Sequence, residues 1–109
     1  MPDELLTMVD AEIRGWPGIV VEERGGEAII YWLGKRQIGH IHRDGVADLP
    51  FPRVIHDGLI AAGRAAPHRG GFAAVVSYAI RQPEDVPGAI ELFRISYDRI
   101  SQMASGARR

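Results

Sequence analysis

The stretch Ile19–Pro50 reads IVVEERGGEAIIYWLGKRQIGHIHRDGVADLP, and its punctuation decides the fold. Two runs rich in β-branched and aromatic residues, Ile19 to Glu22 and Ala28 to Leu33, flank Arg24-Gly25-Gly26, the pattern of a β-hairpin. Glycine suits such reversals because it takes positive φ at little steric cost. Gly34-Lys35 marks a second reversal into Arg36 to His42, and Asp44-Gly45 a third into Val46 to Leu49. Pro50 and Pro52 end the last run, since proline cannot donate to a ladder. The stretch therefore predicts a four-stranded antiparallel meander.

Working outward, the period changes from two to 3.6. Before the meander, Asp3 can cap a helix carrying Leu5, Leu6, Val9 and Ile13 on one side, stopped by Gly15 and Pro17. After it, Pro52 suits the first turn of a second helix, with Val54, Ile55, Leu59 and Ala62 as its buried stripe and Gly63 as its end. A loop from Arg64 to Gly71 leads to Phe72–Ile80, the longest predicted strand, with Phe72, Ala74, Val76, Tyr78 and Ile80 on one face. A third helix opens at Asp85 or Val86 and lines up Val86, Ile90, Phe93, Tyr97, Ile100 and Ala104. The reading is an α+β fold, an antiparallel sheet of about five strands with helices packed on one face, in the order α-β-β-β-β-α-β-α. Residues 1–104 are expected to form a single domain and 105–109 a disordered tail.

Composition narrows the functional classes. With 109 residues, 46% of them apolar, the chain is long enough to fold around one core without staples. It has no cysteine, which excludes disulfides, thiolate nucleophiles and cysteine-ligated metals. A net charge of -1 supplies no field to draw the whole molecule to nucleic acid or an acidic membrane, and neither is expected as a partner. The start, Met1-Pro2-Asp3-Glu4, is acidic where a signal peptide is basic, and no apolar run nears the roughly 20 residues that span a bilayer. The expected location is cytoplasmic.

The chemistry gathers between Gly39 and His68, which hold all four histidines. In a strand, positions i and i+2 share a face, so His40 and His42 project together, with Ile38 on their side and Gly39 and Ile41 opposite. These residues support three readings. Two adjacent imidazoles with His68 or Asp48 as a third ligand match a catalytic metal site with an open position. The forked donor of Arg64, joined by His40, His42 and His68 and oriented by Asp48, matches a site for a small anion, with Arg43 and Arg94 as further candidates. The same groups can also be a structural cluster in which Arg64 pairs with Asp48. His56, beside Asp57 on a helix, is expected to face water, and Ser77, without a nucleophile elbow, is expected in the core or sheet surface.

Several motifs resemble one family. Gly39-His40-Ile41-His42, Ala47-Asp48-Leu49-Pro50-Phe51-Pro52, Gly63-Arg64-Ala65-Ala66-Pro67-His68, Val76-Ser77-Tyr78, Glu84-Asp85-Val86 and Leu92-Phe93-Arg94 are similar to the luciferase-domain family of small bacterial and fungal proteins. The likeness runs from about Val20 to Arg99. It implies that His40, His42, Asp48, Arg64 and His68 belong to one pattern in the fold. It implies no light-emitting activity and brings no catalytic residues with it, and the chain shows neither a flavin-binding phosphate loop nor an adenylate-forming motif. The favoured reading is a small-anion-binding domain built on His40, His42, Asp48, Arg64 and His68. The alternatives are a homodimerisation module using edge strands with Trp32 and Phe51, and a metal-dependent enzyme with a His-x-His site.

Overall fold

The computed structural model describes residues 3–106. The chain runs α1 (Asp3–Arg14), β1 (Ile19–Arg24), β2 (Ala28–Leu33), β3 (Arg36–His42), β4 (Val46–Pro50), α2 (Arg53–Ala61), β5 (Ala66–Pro67), β6 (Val75–Ala79) and α3 (Asp85–Gly106). All strand pairs are antiparallel, in the order β1-β2-β3-β4-β6-β5. The meander forms as its turns predict. The last long strand, whose position the sequence left open, lies against β4, and the two-residue β5 is an addition at the edge. Of the expected tail, 107–109 lie outside the described residues, while α3 continues to Gly106. No described helix is long and apolar enough to cross a membrane.

The helices bury one face of the sheet. Tyr31, Ile41, Ala47, Leu49 and Val76 from the strands and Ile80 just after β6 pack with Val9 and Ile13 of α1, Leu59 of α2, and Leu92 and Phe93 of α3 in one core. Gly39 faces the same way: a Cβ there would lie 2.8 Å from Phe93 and 3.0 Å from Leu49. By the alternation of the pleat, His40, His42, Asp48 and Ser77 stand on the other face.

One irregularity shapes that other face. Tyr31 pairs with Gly39 but Trp32 pairs with Gln37, so Ile38 is an extra residue, a β-bulge. Ile38 was expected beside the histidines; the bulge instead turns it into the core, where it is fully buried. Its carbonyl accepts a 2.7 Å hydrogen bond from Ser96 Oγ of α3, itself fully buried. The slip also carries Gln37 onto the face of His40, because one extra residue reverses the alternation beyond it.

Other expectations are corrected. Val54 is 85% exposed, since it lies about 140° round the helix from Leu59; Ile55, His56 and Leu59 form the inner stripe instead. His56 is thereby buried rather than facing water, with Nδ1 2.8 Å from Asp57. Phe72 precedes β6 and is exposed, stacking near the His68 ring at 5.1 Å. Phe51 is buried in the core and offers nothing to a pairing surface.

Candidate functional site

Three strands and one loop bring five groups together. His40 and Asp48 are directly opposite in the β3–β4 register, His42 stands two residues along from His40, and Ser77 is opposite Asp48 on β6. The Asp48 carboxylate is 2% exposed, at the centre of the open face. Ser77 Oγ donates to Asp48 Oδ1 at 2.6 Å, and His42 Nε2 donates to Oδ2 at 2.7 Å. His40 Nε2 lies 3.2 Å from His42 Nε2 and 3.4 Å from Asp48 Oδ2, the two rings standing edge to face. His68 reaches over from the loop before β6 to place Nε2 3.5 Å from the same oxygen.

The partners of the outer nitrogens fix which inner nitrogen carries a proton. Gln37 Oε1 accepts from His40 Nδ1 at 2.6 Å, so the neutral ring turns a bare Nε2 lone pair into the cluster. His68 is the reverse. Its Nδ1 accepts the Gly70 backbone N–H at 2.9 Å, which leaves the proton on Nε2, aimed at Asp48. His68 therefore turns an N–H toward the carboxylate from 3.5 Å, longer than a good hydrogen bond, whereas His40 offers a lone pair.

Electrostatics agrees with this division. Burial, reinforced by the neighbouring His42, pushes the His40 imidazolium down in pKa against the pull of Asp48, favouring the neutral ring. Burial alone would raise Asp48, but the hydrogen bonds from Ser77 and His42 outweigh it and hold the carboxyl below its ordinary value. The result is an ionised carboxylate beneath two rings whose side chains remain 27% and 34% exposed, open enough for a ligand to reach.

Arg64 is not brought to this cluster. It lies beyond α2, 3.6 Å from Glu91, and both partners are largely exposed, so the ion pair with Asp48 does not form. Arg94 lies over the rings of Trp16, in the connection after α1, and of Tyr97 on its own helix. Arg43 borders an open cleft on the far side of His42 with Glu27, Asp44 and Arg69. Gln37 escaped the sequence reading, because in an unbroken strand it would face away from His40.

The model of the luciferase domain family matches residues 35–96, more than half of the chain. The chain belongs to the luciferase domain family. The matched segment runs from the turn before β3 into α3 and includes every residue of the luciferase-domain cluster together with Gln37 and Arg64. No curated protein and no solved structure gives a match.

Within this domain His40, His42 and Asp48 form a group whose three ligand atoms lie within 4.8 Å of one another. Two imidazoles and one carboxylate on a rigid ladder are a donor set suited to zinc or to another first-row divalent ion.

Proposed function

We propose that this protein binds a divalent transition-metal ion through His40 Nε2, His42 Nε2 and Asp48, leaving coordination positions free for a small molecule. The supporting observation is the convergence of these donors at separations of 2.7, 3.2 and 3.4 Å. Ligands about 2.1 Å from a shared ion lie about 3.0–3.4 Å apart at tetrahedral or octahedral angles, so only the shortest pair must open. That pair is a hydrogen bond whose proton leaves when His42 becomes a ligand.

The surrounding groups fit the same role. Gln37 holds His40 in the ligating tautomer, while Ser77 and His68 support Asp48, the kind of outer support that metal-ligating histidines and carboxylates use. Three protein ligands with open positions distinguish catalytic from structural metal sites, so the reading favours a metal-dependent enzyme over a structural cluster.

Cobalt(II) tests it, since its visible bands report the coordination sphere. Purified protein titrated with cobalt(II) is expected to saturate at one equivalent with intense visible absorption. Asp48→Asn and His40→Ala, checked for folding by circular dichroism, are expected to lose it. Wild-type protein that leaves cobalt(II) with its aqueous spectrum, or folded variants that bind as well as wild type, would overturn the reading.

A further inference from the structure

A cleft of about 500 Å³ opens beside the cluster, with His40 and Asp48 on its inner wall. Three cations line it, the exposed Lys35 and Arg36 at the start of β3 and the half-buried Arg99 of α3. Pro50, Val75 and Ile100 supply its apolar lining. Asp48 is the only acidic residue among those lining it, and its charge is already engaged by Ser77 and His42.

The cations are unusual in being unspent. Most arginines of the described residues pair with a carboxylate or carbonyl or pack on rings: Arg14, Arg24, Arg53, Arg64, Arg69, Arg81 and Arg94 all do. Lys35, Arg36 and Arg99 have no acidic partner among the described residues, and outside this cleft Arg43 has none either. Among the described residues, Arg99 Nε is buried with no hydrogen-bond partner, and its Nη1 meets the sulfur of Met103. A buried guanidinium nitrogen without an acceptor is costly, and a ligand oxygen is what would satisfy it.

We infer that this cleft binds a small organic oxyanion, a carboxylate or phosphate monoester. Its charged end lies on Arg99, Lys35 and Arg36, its apolar body on Val75 and Ile100, and its other end at His40. Arg99 supplies the forked, always-charged donor that such groups favour. The inference rests on the metal reading only for what the far end of the ligand meets; the anion end stands on the cations alone. It also moves the anion-recognising arginine from Arg64, which the cluster does not contact, to Arg99.

The test is a two-dimensional NMR titration of the nitrogen-15-labelled full chain with benzoate, phenyl phosphate and, as the neutral control, benzyl alcohol, each with and without one equivalent of zinc(II). Benzoate or phenyl phosphate is expected to shift the resonances of 35–37, Val75 and Arg99 saturably, the tighter of the two naming the preferred oxyanion. Benzyl alcohol is expected to leave them unmoved. Arg99→Gln and, as a second variant on the surface turn, Lys35→Gln are each expected to weaken anion binding about tenfold or more. Retained zinc with no anion-specific shift at these residues, or shifts that survive both variants, would overturn the inference. Anion shifts at Arg99 without zinc retention would uphold the cleft while removing the metal reading.

Discussion

At the scale of single residues, the site depends on which nitrogen of each imidazole is bare. Gln37 decides this for His40 through one 2.6 Å hydrogen bond, without itself reaching the carboxylate. Gln37→Leu keeps the bulk and removes the acceptor, freeing the ring to put its proton on Nε2. It is expected to weaken cobalt(II) or zinc(II) affinity about 10- to 100-fold with little change in urea midpoint, measured by competition with a chromophoric chelator. Unchanged affinity would show that His40 is oriented by the strand alone. Gln37 also marks where sequence reading ends. His40, His42 and Asp48 were legible because alternation and turn register fix them, whereas His68 was named only as a candidate from the loop. Gln37 depends on a one-residue slip that no composition signals, and Arg64 follows a glycine at positive φ into a loop, where side-chain direction is not encoded in any period.

At the scale of elements, the bulge in β3 and the inner face of α3 are one device. Ser96 tops the carbonyl that the bulge leaves out of the ladder, and the next turn of the same helix carries Arg99 and Ile100 to the cleft. Ser96→Ala would strand a fully buried carbonyl, at a cost of about 1–3 kcal/mol in stability by urea unfolding. The same variant is expected to weaken benzoate or phenyl phosphate binding, because the turn bearing Arg99 loses its anchor on β3. A destabilised variant with unaltered anion binding would separate the two roles. The elements themselves were largely readable: the glycine-marked reversals gave the meander, and the apolar spacing gave α1 and α3. The inner stripe of α2 was misplaced by one residue, since Val54 and Leu59 look alike in composition but stand apart on the helical wheel.

At the scale of the whole molecule, the cluster ties β3, β4, β6 and the loop bearing His68 to one point in the middle of the sheet. An ion bound there in the folded state, and not in the unfolded one, stabilises everything that must come apart to release it. At free zinc about 100 times its dissociation constant the gain is about 2.7 kcal/mol. For a domain of this size that corresponds to a rise in Tm of about 10–20 °C, read by thermal scanning. Asp48→Asn is expected to show none of it, and a wild-type Tm indifferent to zinc would place the cluster among purely structural networks.

The β3–β4 ladder pairs His40 with Asp48 and Ile41 with Ala47, and on the Gln37 side of His40 the two strands no longer pair. The cleft begins at that fork. A molecule approaching past Lys35 and Arg36 therefore arrives at the crotch of two strands already parted, with no backbone bond left to break on its way in. The sheet is at once the doorframe and the open door, so for the oxyanion proposed above admission is expected to depend on the charge at the threshold and to need no parting of the strands.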